Sequence, residues 1–188
     1  MSFLHYKGML NLIFTQNIDS LELKTKIPHD KIVFAHGNLL ESHCSGCKKD
    51  YDHEKLQLHI KEGKVLYCDI PDCKEPLKPK VVFYGESLPK NFFTKQEALL
   101  ESDLGIVMGT SLKVMPFNFL PYQLKNSSFR LVVNREKVGD EGPKGFLYDD
   151  VTSLDLFLEG TTDDICFKII EDCGWKSEYD KFVEENTK

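Results

Sequence analysis

Four cysteines stand in two pairs, Cys44 with Cys47 and Cys68 with Cys73, separated internally by two and by four residues, with twenty residues between the pairs. A short turn lets two thiolates converge on one ion at about 2.3 Å, and two such turns complete a tetrahedral shell with no open position. Set against disulfides or free thiols, the spacing reads as a structural zinc site. The wider second pair requires Asp69-Ile70-Pro71-Asp72 to bulge around Pro71. A different chemistry is available at His36, which ends an apolar run and precedes Gly37. An imidazole at a strand tip suits a general base near neutral pH, although a strand-end histidine also serves as a satisfied structural group. Thr15-Gln16-Asn17-Ile18-Asp19 ends another apolar run. Its amides and carboxylate suit either ligand binding or capping of the next helix.

These groups need elements to hold them. Apolar runs at Leu10–Phe14, Ile32–Ala35, Val81–Tyr84, Leu104–Met108, Phe129–Val133 and Leu154–Leu158 are too short for helices and read as buried parallel strands. Several end in polar or small residues, including Gly109-Thr110-Ser111 and Asn134-Arg135-Glu136. Open α/β sheets gather ligand groups at that carboxyl edge. Residues 42–80 have a different texture, rich in Lys and Cys and poor in long aliphatics, and build little core unaided. From Thr161 to Val183 the pattern is largely helical, placing Cys166 and Cys173 on one face as buried, hydrophobic cysteines.

Composition narrows the classes. A chain of 188 residues with 41% hydrophobic and 29% charged residues is globular. A net charge of −6 argues against a nucleic-acid surface, because phosphate binding needs clustered Lys and Arg. No run approaches the roughly 20 apolar residues of a membrane helix, and no export signal is readable at Met1–Gly8. An intracellular protein, nuclear or cytoplasmic, is the expectation.

Taken in order, Thr15-Gln16-Asn17-Ile18-Asp19, His36-Gly37, the cysteine quartet, Lys78-Pro79 through Phe83-Tyr84-Gly85-Glu86, Gly109-Thr110-Ser111-Leu112, and Asn134 with Glu136 resemble the sirtuins. The resemblance runs from about Gly8 to Val183 and is closest to the eukaryotic branch that removes acetyl groups. It implies a Rossmann-like large domain (1–41 and 81–188), a zinc-ribbon small domain (42–80), and NAD-dependent deacetylation of acetyl-lysine proteins with release of nicotinamide. His36 would be the catalytic base. Gln16, Asn17 and Asp19 would face the nicotinamide and its ribose. Gly109, Thr110, Ser111, Asn134 and Glu136 would surround the adenosine half, with Thr162 and Asp163 by the adenine. Val82 and Phe83 would line the acyl-lysine tunnel, and the backbone from Val82 through Gly85 to Glu86 would pair with the substrate peptide as an added strand. An acidic surface would suit lysine-rich protein tails.

The sequence departs from the family pattern before Met9, where a strand, a Gly-Ala-Gly turn and an arginine-bearing cofactor loop would stand. In a sheet of order 3-2-1-4-5-6 that first strand is central, so the expectation is a divided sheet and weakened pyrophosphate binding. Thr25-Lys26 also replaces the usual Ala-Gly, and Leu39 the usual aromatic. The alternative function is that of a catalytically inactive, truncated sirtuin acting as a zinc-containing protein-binding module.

Overall fold

The computed structural model describes residues 1–141 and 145–186. In chain order its helices and strands are α1 (Ser2–Tyr6), β1 (Ile13–Thr15), β2 (Ile32–Phe34), β3 (Gly37–Cys44), β4 (Asp50–Tyr51), α2 (His53–Lys61), β5 (Leu77–Val81), α3 (Lys90–Thr94), β6 (Leu104–Met108), β7 (Phe129–Asn134), β8 (Asp155–Glu159), α4 (Thr162–Asp172) and α5 (Lys176–Asn186). The chain divides into two compact units, essentially Leu12–Thr94 and Phe3–Asn11 with Lys95–Lys188.

In the first unit β1 and β2 pair in parallel, Thr15 opposite Phe34. Val33 and Ala35 are almost fully buried, and Phe92 of α3 is completely so, its ring meeting Phe14 edge-on. Strands β4, β3 and β5 form an antiparallel sheet in that order. Against it lies α2, which the sequence pattern had not indicated. Its start is fixed by Asp52, whose carboxylate accepts the amides of Glu54 and Lys55, and its first residue, His53, meets the buried Ser42 hydroxyl through Nδ1 at 2.8 Å.

The core of this ribbon is Cys44, Leu56, Cys68 and Leu77. Two of the four are thiols, and burying the two leucines contributes only about 1.5–3 kcal/mol each. A bound metal, at about 10 kcal/mol or more in small zinc modules, stabilises such a ribbon further than its leucines can.

In the second unit β6, β7 and β8 run parallel in that order, with Val132 and Val133 fully buried. At the amino-terminal end of the sheet Arg130 and Asp155 form a bidentate pair, both bonds 2.6 Å, and the Asp155 side chain is 2% exposed. The guanidinium lies 4.8 Å from the Phe146 ring, and Asp155 also accepts the Leu147 amide, so the pair anchors part of the connection between β7 and β8. Tyr122 and Tyr148 tie the same connection at the Gly139 and Val138 carbonyls. Phe3 packs against Trp175, Tyr179 and Phe182, joining α1 to α5 and the turn before it.

Five of the six apolar runs contain parallel strands. The parallel strands form two ladders, β1–β2 and β6–β7–β8, as a divided sheet requires. The run Val81–Tyr84 does not follow the expectation. Its strand ends at Val81, pairs antiparallel with β3, and gives way to a turn in which Phe83 is 54% and Tyr84 99% exposed. The carboxyl-terminal pattern is two helices broken around Gly174, where φ is +70°. That break leaves Cys173 at the cap, exposed instead of buried, and Cys166 half-buried. Among the described residues no helix is long and apolar enough to cross a membrane.

Candidate functional site

The four cysteine sulfurs lie within 4.8 Å of one another. Cys44 Sγ is 3.4 Å from Cys73 Sγ, and Cys47 Sγ is 3.7 Å from Cys68 Sγ. A tetrahedron with 2.3 Å metal–sulfur bonds has edges of about 3.8 Å, so the quartet fits a structural zinc ion. Backbone bonds weld the two knuckles together: Ser45 N–H donates to Pro76 O and Cys68 N–H to Glu75 O. The bulge around Pro71 is closed by Cys73 N–H on Ile70 O. The Tyr51 hydroxyl meets Cys68 Sγ at 3.1 Å and also the Asp69 carboxylate, which in turn pairs with Lys49. Burial raises the Cys44 thiol, but the Cys47 amide, the Cys73 thiol and the Gly46 amide outweigh it and bring the group down to about 7. The Cys47 thiol moves the other way: the Lys49 amide pulls it down, but burial and the neighbouring thiols outweigh that and push it up to about 11, so the cluster gives up its first proton at Cys44.

His36 is held by three segments. Ala35 N–H donates to Thr15 O, continuing the β1–β2 ladder to the point where both strands release their polar residues. Val82 N–H donates to His36 O at 2.9 Å, and Leu39 N–H donates to Ile18 O at 3.0 Å. Gly37, at φ +72°, lies so close to β5 that a Cβ there would be 1.8 Å from Lys80 O, which excludes any side chain. The loop after β1, the histidine and the turn after β5 are therefore stitched into one cluster carrying Gln16, Asn17, His36, Val82 and Phe83. Asp19 has a local role as well, its carboxylate accepting the Leu21 amide at the start of a short helical turn. At the substituted Thr25, the hydroxyl donates to Glu22 O and accepts the Ile27 amide, closing the short helical turn.

In the other unit the ends of β6, β7 and β8 and the start of α4 border an open cavity of about 320 Å³ lined by Gly109, Asn134, Arg135, Gly160, Thr161 and Thr162. Asn134 Nδ2 donates to Glu136 O at 3.1 Å and Thr110 O at 3.4 Å, bridging two loops of the rim. Thr161 caps α4 by accepting the Asp164 amide. Of the residues singled out in the sequence, Gly109, Asn134 and Thr162 line the cavity. Thr110, Ser111, Glu136 and Asp163 are not among the lining residues, although the carbonyls of Thr110 and Glu136 accept from the lining Asn134. Gly160 and Thr161 were not singled out, and Arg135 entered only as part of the polar tripeptide that ends its strand. Thr161 was findable as a helix cap two residues before Asp163-Asp164, and Gly160 as the glycine that ends an apolar strand.

Known proteins are similar to this chain over most of its length. The Sir2 family model matches residues 1–116. The NAD-dependent protein deacetylase hst2-2 of Emericella nidulans is 35% identical over 179 residues, covering 95% of this chain and 48% of the relative. The NAD-dependent deacetylase sir2A of Dictyostelium discoideum is 38% identical, covering 94% of this chain and 35% of the relative. The NAD-dependent protein deacetylase sirtuin-2 of Danio rerio is 36% identical, covering 94% and 49%. The chain thus spans about half, or less, of the length of the curated relatives it matches. With the cysteine cage, the buttressed histidine and the polar strand ends in their order, and a family match over most of its length, the chain belongs to the Sir2 family.

Proposed function

We propose that this chain is the catalytic-histidine and zinc-bearing part of an NAD-dependent protein-lysine deacetylase, with domain roles divided between a Rossmann-like part (1–41 and 81–188) and a zinc ribbon (42–80). The observation that carries the reading is the Val82 N–H bond to His36 O, which couples the candidate base to the turn assigned to acyl-lysine. In this reading NAD and one water are consumed: nicotinamide leaves, the acetyl group passes to ADP-ribose, and the lysine amine is freed. His36 takes the proton from a ribose hydroxyl, with Gln16, Asn17 and Asp19 around that ribose and the nicotinamide. Gly109, Thr110, Ser111, Asn134, Glu136, Thr162 and Asp163 serve the adenosine half, supported by the cavity at the ends of β6 to β8. Val82, Phe83, Gly85 and Glu86 take the peptide, and zinc is structural.

Basic protein tails suit the charge distribution. Residues 95–188 carry 18 Asp and Glu against 11 Lys and Arg, so the acidic excess of the whole chain lies in that segment.

A second reading, a zinc-containing binding module without turnover, is favoured by the division of the parallel strands into two ladders. Nicotinamide release from NAD in the presence of an acetyl-lysine peptide pool separates the two. Turnover by the native chain that disappears in His36→Ala, with zinc content unchanged, supports the deacetylase. Equal turnover by His36→Ala removes His36 from the mechanism, and a folded, zinc-loaded chain without turnover favours the binding module.

A further inference from the structure

The turn from Val82 to Glu86 has almost nothing packed against its tip. Phe83 is 54% exposed and Tyr84 99% exposed, so side-chain burial does not fix its conformation. A different device does. Lys78, on β5, is 12% exposed at its side chain, and its ammonium reaches forward along its own strand to the turn that follows. Nζ donates to Val81 O at 2.9 Å and to Glu86 Oε2 at 2.5 Å, and it stands 4.0 Å from the centroid of the Phe83 ring. The same Glu86 Oε2 accepts the Phe83 amide at 2.8 Å, while the Glu86 amide donates to Phe83 O at 2.9 Å. The Glu86 carboxylate is therefore folded inward as a brace.

We propose that Lys78 is a positioning residue for substrate: its ammonium, through Glu86 and the Phe83 ring, sets the backbone of the Val82–Glu86 turn that an acyl-lysine peptide pairs with. The inference rests on the deacetylase reading for the identity of the peptide, but the clamp itself is a property of the chain alone. Two arguments carry it. An ammonium has three donors, and here two go to groups at opposite ends of one turn. Charge-assisted bonds of this kind are about twice as strong as neutral ones, so they dominate where packing is absent. The Lys78 hydrogen bond also holds the Glu86 carboxyl below its ordinary range, with the Phe83 amide acting in the same direction.

Hydrogen exchange on the zinc-loaded chain without substrate tests the clamp, and steady-state kinetics test its purpose. In Lys78→Met the Phe83 and Glu86 amides lose protection by about tenfold, while the Val82 amide, bonded to His36 O, keeps its own. Lys78→Arg restores the two amides. The KM for an acetyl-lysine peptide rises about tenfold in Lys78→Met, with kcat and the KM for NAD changed by less than about twofold. Should Lys78→Met lose zinc, Glu86→Gln supplies the exchange comparison alone, with the lysine in place. Unchanged protection of Phe83 and Glu86 in the zinc-loaded variant overturns the proposal, as does a fall in kcat at constant peptide KM. A native chain without turnover counts against the deacetylase reading alone, because the exchange result still decides whether Lys78 sets the turn.

Discussion

In the cysteine cage four identical side chains would make every bond to an ion, and the surrounding chain has only to bring their sulfurs within 4.8 Å. In the cavity beyond β6, β7 and β8, six residues of four types line a hollow whose shape is set by backbone, by a helix cap and by an amide that bridges two loops. A metal site of the first kind is specified by residue type and tolerates a loose scaffold, because the ion itself does the folding. A cavity of the second kind is specified by the path of the chain, so it depends on groups that never touch the ligand.

Cys44→Ala gives the largest effect in this comparison. It removes one of four ligands from a ribbon whose core contains only two buried leucines, so zinc content falls and the β3–β4–β5 amides lose protection, a loss on the order of 10 kcal/mol for the metal-dependent fold. The β6–β8 amides keep theirs, because no cysteine of the quartet belongs to that unit. Exchange measured on both sheets in one sample checks the outcome; equal loss in β6–β8 would contradict the separation.

Asp155→Ala strikes the other region. The aspartate is almost fully buried, paired twice with Arg130 and bonded to the Leu147 amide, so its removal leaves a guanidinium without its partner beside Phe146. Breaking such a pair costs about 3–5 kcal/mol. The urea midpoint of the β6–β8 unit should fall, and, with the cavity serving the adenosine half as proposed, NAD binding should weaken although Asp155 is not among the cavity's lining residues. Zinc content should stay constant. Loss of stability with unaltered NAD affinity would show that the cavity does not depend on the buried pair.

The same contrast explains what the sequence disclosed. Cys44, Cys47, Cys68 and Cys73 were legible because thiolate spacing is itself the specification, and β6 was legible to its ends because Leu104–Met108 is an apolar run between polar residues. Arg135, Gly160 and Thr161 were less so, since a wall is made wherever the chain turns and carries no signature of type. Cys173 was misread because periodicity continued through Gly174, where the backbone stops the helix. The run Val81–Tyr84 was misread for a related reason: Phe83 and Tyr84 are apolar as a buried strand would be, yet they sit on a turn held by Lys78 and Glu86. Hydrophobicity announces burial only where no polar clamp competes with it.

That clamp lies between the two extremes and yields the smallest effect. The folded Glu86 carboxyl titrates below its ordinary value, with the Lys78 hydrogen bond the main cause, the Phe83 amide next, and Lys48 adding a weaker pull. A group depressed in this way stabilises the fold at pH values above its unfolded range, near about 4.3, and the contribution is lost as pH falls through the lower folded value. Order in the turn should therefore persist at pH 5 and above and diminish only on further acidification. His43 faces the same carboxylate, with its own titration held below the ordinary imidazole value by burial and then by nearby lysines. Because the Glu86 side chain is 37% exposed, solvent screens the pair and the change is a modest one. The measurement is the ratio of Phe83 to Val82 amide protection across the acid limb, native chain against Glu86→Gln. A ratio that falls with pH in the native chain and stays low and flat in the variant assigns the titration to Glu86; parallel curves would assign it to acid release of the metal, because protonated thiols lose zinc in both proteins alike.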